Sequence, residues 1–335
     1  MLDLPKNGRI TGKGKRLLPA LLAHLEMLNS TVDVIVSWAS LRLVHGHHGN
    51  STREITQPHD HPQEFSGEGR KWNKNFINIP QEEGDFGGAA IIDEANLKNH
   101  HHMPFNGLSQ IDHMKASKRG FFTLDDLHVG KTMPIDFPSI NISTLPRFLP
   151  RQEADLIPFS SNKLPYLLQL FSFSEGSPEA NLTEKTLKIC ELKHTKGETK
   201  LCATSFESML DSVRAILGKE NHYKVETIEH IRNPVVQNYT FLEVSEELSK
   251  SKKLVACHIL PYPYAVFYCH SQEAARLFKV SVGGENGDRV EGVAVCHMDT
   301  SDWSPSNQML LLLGVKRGTP ICHLISPTSL IWVSY

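Results

Sequence analysis

The sequence lacks a strong charge of either sign and has no long apolar run. Its 335 residues include 35 Lys and Arg against 37 Asp and Glu, which gives a formal net charge of -2. The chain therefore lacks the excess of positive charge that typically attracts nucleic acid or an anionic membrane, so we expect no nucleic-acid partner. No run approaches the roughly 18–20 apolar residues that span a bilayer, so we expect no transmembrane segment. With 40% hydrophobic residues, the chain is still long enough to bury a sizeable core.

Common catalytic signatures are also missing from the sequence. It contains no Gly-rich phosphate loop and no Ser-His-Asp motif, and it shows no internal repeat beyond a recurring dipeptide. Motif analysis therefore indicates neither a nucleotide-binding enzyme nor a serine hydrolase. No catalytic residue is predicted from the sequence.

Cysteine is scarce, and its placement is the most specific feature of the chain. Four of the six cysteines are followed directly by histidine, with ten, twenty-five and twenty-four residues between successive dipeptides. Four such pairs are very unlikely to arise by chance. The dipeptides are Cys257-His258, Cys269-His270, Cys296-His297 and Cys322-His323.

Each dipeptide lies in a short apolar run rich in branched or aromatic residues, which is typical of a β-strand. Adjacent strand residues point to opposite faces, so the pattern predicts a layer of sulfur on one face and of imidazole on the other. The turn-forming stretch 261–264 predicts a hairpin that places Cys257 opposite Cys269. The remaining cysteines, Cys190 and Cys202, flank a polar stretch, which suggests a disulfide across a hairpin loop.

The chain divides into three parts by composition. Residues 1–44 form a poor signal-like or mis-started N-terminus, because His24 and Glu26 interrupt an apolar run that follows a basic start. Residues 45–120 are rich in His and charge and predict a disordered linker, whose His tracts bind metal only weakly. Residues 121–334 predict a compact domain. Within it we expect helices at 164–171 and at 204–217, the latter beginning with a capping-box spacing at Thr204 and Glu207.

The compartment is predicted from glycosylation sequons and cysteine usage. Even cysteine numbers and several Asn-X-Ser/Thr sequons favour the secretory pathway and an extracellular location. A sequon also begins at Asn29 within the signal-like region. The candidate glycosylation sites are Asn50, Asn141, Asn181 and Asn238.

These residues together resemble the plant BURP-domain family over roughly Phe121 to Val333. The likeness includes Phe121-Phe122, Phe148-Leu-Pro-Arg151, Cys202-Ala-Thr-Ser205, Tyr262-Pro-Tyr-Ala-Val-Phe-Tyr-Cys-His270 and Asp299-Thr-Ser-Asp-Trp303, besides the four dipeptides. The expected fold is α+β and β-rich. It consists of a single compact BURP domain with mainly antiparallel strands and a few short helices, preceded by a largely disordered N-terminal segment.

The resemblance implies a secreted or wall-associated plant protein with one of several roles. Family members include seed proteins, dehydration-responsive proteins, a non-catalytic subunit of a wall polygalacturonase, and copper-dependent peptide cyclases that cross-link Tyr or Trp side chains. The run 304–309 lacks a histidine that members often carry, and residues 45–120 contain Trp72 as their only Trp or Tyr. Self-cyclisation of a core peptide within this chain is therefore not favoured.

Copper is the cofactor that the resemblance implies, held by His258, His270, His297 and His323, since imidazoles suit copper(II). The cysteines would then form disulfides behind the metal site. Two alternatives remain: buried histidines in a purely structural staple, and a zinc site that mixes thiolate with imidazole, which strand geometry disfavours. A structural or stress- and development-related wall glycoprotein ranks first, and a copper-dependent cyclase acting on a separate precursor peptide ranks second. The expected partners are a precursor peptide, or a cell-wall polysaccharide or enzyme.

Overall fold

The structure is a computed structural model of the chain, and it confirms the predicted β-rich fold with mainly antiparallel strands and short helices. The signal-like N-terminus, Asn50, Asn141 and most of the predicted linker lie outside the described residues. The structure describes residues 72–78, 116–137, 144–193, 196–219, 222–228, 236–248, 253–305 and 307–335.

Eleven strands within these ranges form two sheets, and every strand pairing is antiparallel. The strands are β1 (Phe121–Thr123), β2 (Thr132–Ile135), β3 (Glu198–Ala203), β4 (Tyr223–Glu226), β5 (Gln237–Glu247), β6 (Leu254–Leu260), β7 (Val266–Gln272), β8 (Ala275–Gly284), β9 (Arg289–His297), β10 (Ile321–Leu324) and β11 (Leu330–Ser334). Sheet I has the order β3-β7-β6-β11-β4, and sheet II has the order β1-β10-β9-β8-β5-β2.

The helices are short and lie mostly before sheet I in the chain. They are α1 (Arg151–Ala154), α2 (Leu164–Phe171), α3 (Pro178–Glu191), α4 (Phe206–Leu217) and α5 (Gln308–Leu313). Within the described ranges, 3-10 turns lie at Asn75–Asn78, Leu124–Asp126 and Ser161–Lys163. No helix in the described part is long and apolar enough to cross a membrane.

Helices α2 and α4 confirm the two helical predictions. In α4 the buried residues Met209, Val213 and Leu217 follow the helical period that the sequence predicted. The N-terminal cap differs from the prediction by one residue: Ser205 and Ser208 form the capping box, not Thr204 and Glu207. Both pairs have the same spacing, so spacing alone did not distinguish them.

The disulfide between Cys190 and Cys202 forms, but the predicted hairpin around it is wrong. Cys190 lies in the last turn of α3, and Cys202 lies in β3. Ser177 caps α3 by accepting a hydrogen bond from the Ala180 backbone, and Pro178 occupies the first helical turn. These helix-start residues favour a helix where the polar composition suggested a loop. The disulfide therefore joins the end of α3 to β3, an edge strand of sheet I.

The core is arranged in layers that alternate with the two sheets. Helices α1 to α4 pack on the outer face of sheet I, where Val255, Cys257 and Ile259 of β6 face them. Between the sheets, Leu254 and Ala256 of β6 meet residues of β8, β9 and β11. A third cluster covers the outer face of sheet II, and a fourth packs α5 against β1 and β10. We call the faces that enclose the cluster between the sheets the inner faces.

Candidate metal centre

The four Cys-His dipeptides divide between the two sheets. Cys257 and Cys269 are directly opposed on β6 and β7 and form a disulfide, and Cys296 and Cys322 do the same on β9 and β10. The hairpin predicted with its turn at residues 261–264 is therefore confirmed. Both disulfides belong to the outer-face clusters, one under the helices and one under the loops of sheet II.

The histidines lie on the inner faces because strand side chains alternate. His258 follows Leu254 and Ala256 along the inner face of β6, and His297 follows Val293 and Val295 along that of β9. The opposite orientation of sulfur and imidazole is as predicted. The sequence did not predict that the dipeptides lie on two sheets, with sulfur outside and imidazole between them.

His258 and His270 form the first imidazole pair, which is buried at 2% and 3% exposure. Their Nε2 atoms are 3.2 Å apart. The Nδ1 of His258 lies 2.9 Å from the Ser329 hydroxyl oxygen, and the Nδ1 of His270 lies 3.7 Å from a carboxylate oxygen of Glu198. Both imidazoles thus turn Nδ1 towards a neighbouring side chain and Nε2 towards each other.

His297 and His323 form the second pair, and each is 3% exposed. Their rings stack with centroids 5.5 Å apart. The Nδ1 of His297 lies 2.5 Å from the side-chain oxygen of Gln272, and the Nδ1 of His323 lies 3.4 Å from the Leu324 carbonyl oxygen. An amide or carbonyl oxygen only accepts hydrogen bonds, so in both cases Nδ1 is the donor, and in the neutral imidazole Nε2 then keeps its lone pair.

Gln272 connects the two pairs. It lies on β7 two residues after His270, and side chains at this spacing share a face. Its contact with His297 therefore crosses from sheet I to sheet II. The four imidazoles consequently lie in one layer between the sheets.

The donor pattern fits a metal bound through Nε2. Metal-binding histidines almost always donate the other ring N–H to a carboxylate, a carbonyl or water, and here an oxygen atom lies near every Nδ1. Two imidazole nitrogens at about 2.0–2.1 Å from one tetrahedral ion lie about 3.3 Å apart. The 3.2 Å separation between His258 and His270 suits such sharing.

The four histidines form two separate pairs and not one group of four. Among the described residues, no three His, Cys, Asp or Glu side chains converge into a group that could hold a metal ion. The mixed thiolate and imidazole alternative does not fit, because all six cysteines are in disulfides. Each pair therefore supplies two nitrogen donors.

Four polar residues at the site were missed by sequence reasoning: Glu198, Lys200, Gln272 and Ser329. Glu198 and Lys200 alternate along β3 and lie opposite Gln272 and His270 of β7. Burial lowers the pKa of the Lys200 ammonium, and the nearby Glu198 carboxylate only partly offsets this. Glu198 and Lys200 are spaced two residues apart, as side chains on one face of a strand are. This spacing could have indicated β3, but the polar composition between Cys190 and Cys202 suggested a loop instead.

Aromatic rings enclose both pairs. Tyr268 lies against His270 with ring centroids 5.3 Å apart, and Trp303 lies against His297 at 5.2 Å. Phe121 lies 5.7 Å from His323. These contacts leave each imidazole surrounded by side chains.

Two of the candidate glycosylation sites are described, and both are exposed. Asn181 lies in the first turn of α3, and Asn238 lies near the start of β5. The side chain of Asn238 donates a hydrogen bond to Glu285. Their accessibility is compatible with glycosylation, which stays a prediction.

Comparison with known proteins identifies the folded part of the chain. Residues 120–334 match the family model described as BURP domain. BURP domain-containing protein 3 of Oryza sativa subsp. japonica is 42% identical over 215 residues, which are 63% of this chain and 50% of that protein. BURP domain-containing protein BNM2A of Brassica napus is 40% identical over 223 residues, covering 64% and 79%. BURP domain protein RD22 of Arabidopsis thaliana is 40% identical over 217 residues, covering 64% and 55%. The chain thus spans about half the length of the rice protein and of RD22.

Proposed function

The chain belongs to the BURP-domain family, and from that premise we propose that it is a secreted, cell-wall-associated plant glycoprotein. Its two histidine pairs bind copper, and its role is structural or related to stress and development. The observation that carries the metal assignment is the shared orientation of the imidazoles, with Nδ1 towards a neighbouring oxygen and Nε2 towards the interior.

The disulfides support the secreted location. All six cysteines are paired, and disulfides persist in oxidising compartments such as the cell wall. The exposed asparagines of the sequons at Asn181 and Asn238 agree with passage through the secretory pathway. The relatives found are plant proteins of the same family.

The chain's own residues hold the imidazoles in place. Ser329 and Glu198 orient the first pair, while Gln272 orients His297 of the second. Copper, when bound, supplies a centre for one-electron oxidation. The disulfides keep β6 with β7 and β9 with β10 in register, so that the two histidines of each pair stay diagonal neighbours on adjacent strands.

Burial of the pairs supports a structural role over a catalytic one. A peptide cyclase acting on a separate precursor must bring a Tyr or Trp of that peptide to the site, yet all four imidazoles are at most 3% exposed. The cyclase function is therefore the second candidate. Its test is to incubate the copper-loaded chain in air with Tyr- or Trp-containing peptides. Dioxygen would accept the two electrons and two protons that a cross-link removes, so the product would be lighter by two hydrogens.

Copper retention tests the first candidate. The full chain is loaded with Cu(II), passed over a chelating resin and measured for copper per chain. We expect the wild type to retain copper, and H258A/H270A and H297A/H323A each to lose the copper of their own pair. The control H100A/H101A/H102A replaces the histidine tract of the predicted linker and should retain as much as the wild type. No retained copper, or loss only in the control, would contradict the proposal.

A further inference from the structure

A short segment far upstream of the family match packs on the helical layer of sheet I. The segment comprises residues 72–78, and Phe76 is completely buried in the same core cluster as α2, α3 and α4. The family match begins only at residue 120. A core residue therefore comes from the part of the chain that composition predicts as linker.

Trp72 makes the first anchoring contact of this segment. Its ring meets Phe171 edge-on with centroids 4.8 Å apart and lies 6.3 Å from the ring of Tyr264. The indole Nε1 donates a hydrogen bond to the Leu170 carbonyl oxygen at 3.1 Å. This carbonyl lies in the last turn of α2, where carbonyls have no partner within the helix. We call the surface formed by Phe171, Tyr264 and the Leu170 carbonyl the groove. It offers an indole both aromatic rings to pack against and a hydrogen-bond acceptor.

Phe76, four residues after Trp72, makes the second anchoring contact. Its ring lies 5.8 Å from Phe173, which also lies under the Lys74 ammonium at 5.9 Å. Ser172 separates Phe171 from Phe173 and adopts a left-handed conformation, with φ of 57°. This residue ends α2, and the rings on either side of it both contact residues 72–78.

A backbone contact fixes the direction of the segment. The side chain of Asn73 donates a hydrogen bond to the Thr144 carbonyl oxygen at 3.0 Å. The 3-10 turn at Asn75–Asn78 then places Phe76 against the core and leaves Ile77 exposed. The domain thus contacts the side chains of Trp72, Asn73 and Phe76. Such separate side-chain contacts are typical of a peptide bound in a groove.

We infer that this groove is a binding site for a Trp-Xaa3-Phe peptide, filled by the chain's own residues 72–78. Trp72, Asn73 and Phe76 contact the domain through their side chains, and residues 72–78 pair with no strand in the described part of the chain. We therefore expect these contacts to persist when the chain is cut between residues 78 and 116. The site is separate from the imidazole pairs, since its wall is made by α2 and the loop that carries Tyr264.

The test is to cut that connection in the full chain. A protease recognition sequence is inserted between Gly87 and Gly88, cleavage is followed to completion on a denaturing gel, and the product is passed over a native sizing column. We expect the N-terminal fragment to coelute with the domain. Excess synthetic peptide covering residues 70–80 should displace it.

Variants of the segment separate this site from any other contact of the fragment. Phe76→Ala should raise the dissociation constant of the fragment roughly 100-fold, and W72A/F76A should release it. Ile77→Ala removes an exposed side chain of the same turn and should leave the fragment bound. Release from the cleaved wild type, or retention in the W72A/F76A variant, would overturn the inference. Near-ultraviolet circular dichroism of the remaining domain confirms that release is not caused by unfolding.

Discussion

At the scale of single residues, the orientation of an imidazole depends on partners that are distant in sequence. Gln272 holds His297 across the gap between the sheets, and Ser329 holds His258 from the turn before β11. The histidines themselves were predictable, because they recur beside cysteine. Their partners were not, because a single Gln or Ser carries no pattern that distinguishes it from others.

Gln272→Ala should weaken copper binding by the second pair. Removing the amide oxygen removes the acceptor that favours the tautomer of His297 with Nε2 unprotonated, and loss of such a partner typically costs 10- to 100-fold in metal affinity. Copper titration with a competing chelator measures the change. Gln169→Ala, on the exposed face of α2, is the matched control. Equal affinities in both variants would contradict the role given to Gln272.

Asp126 should make a pH-dependent contribution to stability. Burial raises the pKa of its carboxyl, but hydrogen bonds from Lys131 and Thr123 outweigh this effect and lower the pKa below the ordinary 3.8. A lowered folded-state pKa stabilises the protein above the unfolded-state pKa, and this contribution is lost as the pH falls through the folded-state value.

Asp126→Asn should therefore lower the free energy of unfolding by about 1 kcal/mol at pH 7, the typical value of a capping side chain. The difference from wild type should shrink steadily below pH 4. Urea unfolding across this pH range measures it, and Asp125→Asn at the exposed neighbouring position serves as the control. A difference independent of pH would show that the charge of Asp126 is not responsible.

At the scale of elements, two disulfides close loops of equal length in different settings. Cys190 with Cys202 and Cys257 with Cys269 each have a sequence separation of 12. The first ties α3 to β3, while the second joins β6 to β7 directly behind the first imidazole pair. Their effects on stability and on copper binding should therefore differ in a way that loop length does not explain.

Removal of either disulfide should cost about 3 kcal/mol by the loop-entropy model. C257A/C269A should also reduce copper binding by His258 and His270, because those histidines lie next to the lost link. C190A/C202A should lower stability while copper binding is unchanged. Chemical unfolding and copper titration on both variants provide the comparison. Equal copper affinities would mean that the disulfide does not position the pair.

Element prediction succeeded where a side-chain period was supported by a turn or cap. The hairpin of β6 and β7 and the helix α4 are such cases. It failed at α3, where buried Thr183 and Thr186 occupy core positions and obscure the apolar period. The buried Thr186 hydroxyl donates a hydrogen bond to the Pro261 carbonyl, which offsets the cost of its burial. This tertiary contact leaves no local pattern in the sequence.

At the scale of the whole molecule, the pairing of strands determines which histidines meet. Strands β9 and β10 pair across the 23 residues that contain α5, and β1 pairs with β10 from the far end of the domain. The sequence predicted opposite faces for sulfur and imidazole within each strand. It did not predict the division into two sheets, because non-local strand pairing leaves no local pattern.

Copper should stabilise the whole domain if it binds only the folded state. Free copper at 100 times its dissociation constant adds about 2.7 kcal/mol, which corresponds to a rise of roughly 5–10 °C in Tm for a domain of this size. Differential scanning calorimetry with and without copper measures the shift. The variant combining H258A, H270A, H297A and H323A should show none, and an equal shift in that variant would place the copper elsewhere.

The most direct test of the central claim is the nitrogen spectrum of the histidines in the full chain. Long-range 1H–15N correlation of 15N-histidine protein reports which ring nitrogen carries the proton. The account predicts that His297 and His323 carry it on Nδ1 in the metal-free protein, and that anaerobic Cu(I) shifts the Nε2 resonances of all four dipeptide histidines. Protonated Nε2 in His297 and His323, or shifts confined to the histidines of residues 45–120, would contradict it.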